Sequence, residues 1–149
     1  MTDDRRFPAR PYLAASVAVF RDGRVLLAAR GKPPWAGVFS LPGGLVETGE
    51  TLGEAALREL REEVGVEAEL IGLVAPVEVI EREADGRVKH HVVIAAHAAR
   101  WVSGEPQIGP EAKDIRWVTE RDMTGLPLTP GLAGILQQAF RLVRQDGPG

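Results

Sequence analysis

The stretch GGLVETGETLGEAALRELREEVGV, residues 43–66, decides the fold. Residues 51–64 are rich in Leu, Ala, Glu and Arg, all good helix formers. Thr51 suits the N-cap, and Glu54 three residues later completes a capping box. Gly65 suits the left-handed residue just past the end. With Leu52 at the zero of angle, Glu62, Glu59 and Glu63 fall at about 280°, 340° and 20°, inside one arc of about 100°. Ala56, Leu60 and Val64 lie beside that arc and form the face that packs on a sheet, while Arg58, Arg61 and Glu54 point away. Three carboxylates therefore line the border between the buried face and solvent.

Glu59 and Glu63 are like charges four residues apart, a destabilising arrangement that a cation among them relieves. Oxygen ligands in a chain without cysteine favour Mg²⁺ or Mn²⁺ over Zn²⁺. The alternative is an ordinary solvated helix face with mixed charges. The preceding LPGGLVETGE (residues 41–50) weighs against it. Gly43, Gly44 and Gly49 let backbone approach an ion or phosphate closely, and the segment runs into a helix N-terminus, which favours anions. Loop and carboxylates together describe a phosphate-ester or diphosphate site.

Outward from this segment, residues 12–20 and 25–30 read as strands joined by Asp22-Gly23, a hairpin signal. Residues 31–40 carry glycines and a Pro-Pro pair and read as a loop. Residues 66–83 and 87–101 are long β-rich stretches joined by a second Asp-Gly hairpin, and residues 115–118 form a short strand. Residues 131–144 show helical apolar spacing through Leu132, Ile135, Leu136, Ala139, Phe140 and Val143. The order predicts one α/β domain over residues 1–149, a sheet covered by helices on different sides, rather than an all-β sandwich with appended helices. Residues 1–11 and 145–149 read as flexible tails.

The 149 residues are 44% hydrophobic and 26% charged, the balance of a globular domain with a real core. No apolar run approaches the about 20 residues that span a bilayer, and the first residues lack an apolar signal core, so no membrane partner and a cytoplasmic location are expected. A net charge of −3 with no sustained basic patch implies no nucleic-acid partner.

Gly44, Glu50, Arg58-Glu59, Glu62-Glu63 and Gly65, with apolar Leu60 and Val66 between and after them, match the Nudix box at every defining position. Background frequencies of about 5–10% make such a coincidence on the order of 10⁻⁸ at a given start, so the motif is specific. The flanks PPWAGVFSLPGG and HHVVIAAHAARWVSGEP resemble those of bacterial Nudix hydrolases similar to ADP-ribose pyrophosphatases, and the resemblance covers about residues 12–145. It implies an α/β/α sandwich around a mixed sheet and hydrolysis of a nucleoside diphosphate linked to another moiety. ADP-ribose or another nucleotide sugar is the expected substrate. A house-cleaning (d)NTP pyrophosphohydrolase is the alternative, and a non-catalytic nucleotide-binding regulator a further one. The proline that ADP-ribose hydrolases carry after the box has no counterpart in residues 79–84, Pro76 coming earlier.

By the same resemblance, Glu59, Glu62 and Glu63 with the Gly44 carbonyl hold a divalent cation, Mg²⁺ or Mn²⁺, and Arg58 pairs with Glu50 to fix the loop. Glu62 is the first choice of general base, with Glu105 and Glu111 as alternatives. Arg30, Trp35, Phe39 and Gly43 are candidate substrate contacts, although Trp35 and Phe39 also suit loop anchors in the core. His90 and His91 adjoin on a strand and face opposite sides, His97 suits a satisfied core histidine, and Trp101 and Trp117 suit the core. Members of the family often form homodimers.

Overall fold

In the computed structural model, which describes residues 5–32, 36–110 and 112–147, strand β1 (Tyr12–Arg21) organises the rest. Its run from Ala14 to Phe20 is buried on both faces because it lies inside the sheet. On one side it pairs in parallel with β6 (Val88–Ser103), which pairs antiparallel with the edge strand β5 (Glu67–Arg82). On the other side β1 pairs with β2 (Arg24–Arg30) at its C-terminal end and with β4 (Gly43–Leu45) at its N-terminal end, both antiparallel. β2 also pairs with β3 (Phe39–Ser40) and β7 (Ala112–Thr119), completing a seven-stranded mixed sheet.

Alternation along β1 divides the core in two. Ala15, Val17 and Val19 face helix α1 (Leu52–Val64), meeting its Ala56, Leu60 and Val64. Ala18 and Phe20 face helix α3 (Leu132–Gln145), where the Phe20 and Phe140 rings meet edge to face with centroids 4.9 Å apart. The two-sided α/β/α arrangement expected from the order of elements is therefore the observed one. None of the described helices is long and apolar enough to cross a membrane.

Local chemistry sets the element ends. The Thr51 hydroxyl accepts from the Glu54 N–H and the Glu54 carboxylate accepts from the Thr51 N–H, so the capping box is complete. Gly65 closes α1 at φ 72°, a conformation that would strain a residue with a Cβ. Asp22 and Gly23 both have positive φ, as a two-residue hairpin requires. The second hairpin is different. The Glu83 N–H donates to Arg87 O, the Gly86 N–H donates to Glu83 O, and only Gly86 has positive φ, so its loop has one residue more than the first.

The structure corrects several other expectations. Gly43–Leu45 is a strand, not a loop, because its backbone pairs with β1, which sequence periodicity cannot register. The strand around residues 115–118 extends over Ala112–Thr119 and is followed by a helical turn, α2 (Glu120–Met123), capped by Thr119. The segments read as loose tails carry definite contacts where described. The Phe7 N–H donates to Lys89 O, with the Arg87 guanidinium 4.5 Å from the Phe7 ring centroid. The α3 helix runs on to Gln145, and Arg100 then donates to Val143 O, the Asp146 carboxylate and Gly147 O. His97 is buried with Nδ1 2.9 Å from Ala95 O, as a satisfied core histidine. Trp101 and Trp117 are only partly buried, with Arg21 stacked 3.7 Å from the Trp101 centroid.

Candidate active site

The site begins with Arg58, which α1 projects back toward the loop that precedes it. Its Nε and Nη2 donate to the two oxygens of Glu50 at 2.6 and 2.9 Å, and Nη2 also reaches Leu45 O at 3.1 Å. Nη1 donates to Glu59 at 2.9 Å and to Glu62 at 3.2 Å. One planar guanidinium thus fastens the end of β4, the loop and the helix; a lysine has no fork to replace it. The bonds from Arg58, with a further one from the Glu47 N–H, hold the Glu50 carboxyl down from its ordinary 4.5 to about 2. The same hydrogen bonds to Glu50 and then Glu59 raise the Arg58 pKa above its ordinary value.

The box carboxylates differ in depth, Glu59 being half-buried and Glu62 and Glu63 exposed. Glu59 is largely covered and Glu62 largely exposed, their side chains 18% and 61% accessible. Glu59 lies so close to β4 that a Cβ on Gly44 would fall 2.6 Å from its carboxylate. Glu63 accepts the Gly43 N–H at 3.4 Å. As placed, with Arg58 and the Gly43 N–H engaging them, no three His, Asp or Glu side chains among the described residues are gathered closely enough to hold a cation. The donor chemistry nevertheless fits a hard divalent ion: carboxylate oxygens on one helix border, a backbone carbonyl strand beside them, and at Gly44 a hollow that any side chain would fill.

On the opposite face of the sheet a cleft of about 570 Å³ opens, within the about 300–1,000 Å³ usual for small-molecule sites. Ala14 and Ser16 form part of its floor, Val77, Val79, Val92 and Ile94 form an apolar wall, and Leu132 and Ile135 of α3 face them. Gly43, Gly44 and Leu45 also line it. The diglycine strand therefore has the carboxylates on one side and the cleft on the other, with backbone alone between them.

Arg30 and Gly43 border this cleft, as candidates for substrate contact should. Phe39 does not. It is 4% exposed and packs in the α3-side core, so it anchors its segment and cannot meet a ligand. Glu105 is engaged by Arg21 at 3.0 and 3.2 Å, at the far end of β1 from the diglycine. Glu105 is not among the residues lining the cleft. Trp35 and Glu111 lie outside the described residues. The sequence reading missed the cleft walls and passed over His90, whose Nδ1 lies 2.9 Å from Glu81 Oε2 at the cleft margin. This hydrogen bond, assisted by nearby Lys89, holds the Glu81 carboxyl below its ordinary range. The available signal was the alternation of β6, which puts His90 on the same face as Val92 and Ile94.

Known proteins resemble the chain in both sequence and fold. Residues 10–139 match the NUDIX domain family. The chain is 32% identical over 122 residues to an ADP-ribose pyrophosphatase of Methanocaldococcus jannaschii, spanning 82% of this chain and 68% of that protein. It is 32% identical over 138 residues to the CTP pyrophosphohydrolase of Escherichia coli, spanning 86% and 90%. The structure of a MutT NUDIX hydrolase from Burkholderia pseudomallei superposes with a TM-score of 0.72 at 34% identity, over 87% of this chain and 98% of that one. The NUDIX domain of Shewanella oneidensis NrtR, solved with ADP ribose, superposes at 0.64 with 25% identity, over 92% and 88%. Nudix hydrolases act on small nucleotides and generally use divalent metal ions such as Mg²⁺. With a complete box on a capped helix, beside a cleft of nucleotide size, this chain belongs to the Nudix hydrolases, the pyrophosphohydrolases that act on acid anhydrides.

Proposed function

We propose that the chain hydrolyses the diphosphate of a nucleotide sugar, ADP-ribose or a close relative. The observation that carries this reading is the diglycine strand, which borders both the carboxylates of α1 and the cleft. A diphosphate seated there has its anhydride beside Glu59 and Glu63 while its organic part lies along the apolar wall. Glu59, Glu62, Glu63 and the Gly44 carbonyl would hold Mg²⁺ or Mn²⁺. When bound, such an ion neutralises diphosphate oxygens and makes water a stronger acid.

The remaining work belongs to the protein. Arg58 and Glu50 keep the loop and helix in register. Glu62, at the edge of the carboxylate arc and largely exposed, is the base. It takes a proton from the water that attacks phosphorus, a P–O bond of the anhydride breaks, and the leaving phosphate carries away the electron pair. Arg30, at the cleft margin, supplies positive charge to the phosphates. ADP-ribose would give AMP and ribose 5-phosphate.

A second reading, (d)NTP pyrophosphohydrolase, is favoured by the likeness to CTP pyrophosphohydrolase over 90% of that protein's length. It predicts monophosphate and pyrophosphate as products. Turnover of ADP-ribose, other nucleotide sugars and (d)NTPs with Mg²⁺, each repeated in EDTA, separates the two. Glu62→Gln is expected to cut turnover by about 10²-fold or more without loss of fold. Unchanged turnover would take Glu62 out of the mechanism, and binding without turnover on any substrate would favour a regulatory domain.

A further inference from the structure

Beside the diglycine, the floor of the cleft is built from very small residues around one hydroxyl. Ser16 lies on the cleft face of β1, with Ala14 and Ala18 two residues away on either side. Across the sheet it pairs with Gly43 of β4 on one flank and Ala96 of β6 on the other. Ala14, Gly43 and Ala96 line the cleft with it, and Ala18 continues the row under α3. The result is a shallow bowl with the Ser16 side chain at its base. We infer that the Ser16 hydroxyl donates a hydrogen bond to a phosphate oxygen of the substrate, on the side of the diphosphate that faces the cleft. The inference rests on the diphosphate seat at the diglycine proposed above, but not on which sugar the diphosphate carries.

The state of the hydroxyl points to a ligand. Ser16 is 8% exposed, and its side chain forms no hydrogen bond with another described residue. No fully buried polar side-chain atom among the described residues lacks a partner, so this hydroxyl opens on the cleft. The backbone beneath it is fixed by pairing on both flanks, with His97 Nδ1 3.3 Å from Ser16 O. Alanine, as at 14, 18 and 96, would pack the same place with no polar group to satisfy. A ligand that covers the bowl strips water from the hydroxyl and must itself supply a partner. A phosphate oxygen only accepts and a hydroxyl can donate, so the two match, and the negative charge strengthens the bond.

Position selects the phosphate over the organic part. A Cβ on Gly43 would stand 2.8 Å from the Ser16 Cβ, so the hydroxyl is carried against the diglycine itself. Farther along the same face, Ile94 and Val92 of β6 offer only apolar surface, which suits the carbon skeleton of a base or sugar. The charged end of the ligand therefore belongs over Ser16 and its uncharged end along the wall.

The test is equilibrium binding of ADP-ribose, ADP and adenosine in EDTA to the full chain and to Ser16→Ala, whose Tm is expected to match wild type. Ser16→Ala should weaken ADP-ribose and ADP alike by about tenfold or more, while adenosine, which has no phosphate, behaves identically with the two proteins. Unchanged ADP binding would overturn the inference. So would a loss for ADP-ribose without one for ADP, which places the hydroxyl on the distal sugar, or a loss that extends to adenosine, which places it on the nucleoside or in the packing of the cleft. Wild-type protein that does not bind ADP would overturn the phosphate seat and the inference with it. Binding of ADP-ribose without hydrolysis in Mg²⁺ would remove only the nucleotide-sugar substrate, and the ADP comparison would still decide the role of Ser16.

Discussion

Replacing Gly44 with alanine should separate catalysis from folding. Gly44 lies in β4 without a left-handed backbone, so alanine is conformationally acceptable there. Its Cβ, however, would stand 2.6 Å from the Glu59 Cδ and Oε1 and 2.8 Å from Oε2, where ordinary contact begins near 3.4 Å. The obstacle is the end of a flexible side chain, so the carboxylate retreats by about 1 Å and the strand survives. A displacement of that size in a reacting constellation lowers turnover by roughly 10²-fold, or about 2.7 kcal/mol of barrier. The neighbouring substitution is the control. A Cβ at Gly43 would meet Ala15 O at 2.5 Å and Ser16 Cα at 2.9 Å, both backbone, so Gly43→Ala must displace β4 itself. Measured together, kcat and Tm should show Gly44→Ala about 10²-fold slower with a near-native Tm and Gly43→Ala markedly less stable. Full turnover by Gly44→Ala would refute the assigned position of Glu59, and a large fall in its Tm would refute the claim that the clash is absorbed by the side chain.

Further predictions concern the frame of the site and the core. Glu50 has its folded pKa lowered from 4.5 to about 2, so its contribution to stability is complete above about 4.5 and is lost as pH falls toward 2. Tm followed against pH should therefore show Glu50→Gln less stable than wild type at pH 7, with the two curves converging in acid; parallel curves would dissociate Glu50 from Arg58. Thr51→Ala removes the side-chain half of the capping box and should cost about 1 kcal/mol in urea unfolding, with an unchanged midpoint arguing that the cap is not needed. Leu136→Ala opens a fully buried site on the α3 side of the sheet and should cost about 2–5 kcal/mol. A loss below 1 kcal/mol would mean that the core there collapses around the gap.

The helix was legible in the sequence because its signals are local. Thr51, Glu54 and Gly65 act within one turn of themselves, and the arc of Glu59, Glu62 and Glu63 follows from helical period alone. Both hairpins announced themselves through Asp-Gly, although the extra residue in the second depends on backbone angles that the dipeptide does not fix. β4 was illegible for a different reason: two glycines and a leucine have no face to alternate, and only pairing with β1 makes them a strand. The cleft was hidden because its walls come from β1, β5, β6 and α3. The pairing of Glu81 with His90 further depends on a β5–β6 register that shifts at several points along the strands. Phe39 illustrates the remaining ambiguity, since an aromatic beside a glycine-rich segment suits a ligand or a core equally, and only its burial decides.

The alternation of β1 has an evolutionary consequence. Ala15, Val17 and Val19 support the helix that carries the carboxylates, while Ala14 and Ser16 floor the cleft on the other side. The two faces pack against different helices, so a substitution on one acts on the packing of the other only through the backbone of β1. A lineage can thus exchange the recognised part of its substrate without rebuilding the hydrolytic apparatus. Relatives about equally similar to this chain, one named for ADP-ribose and one for CTP, are what such independence would leave behind.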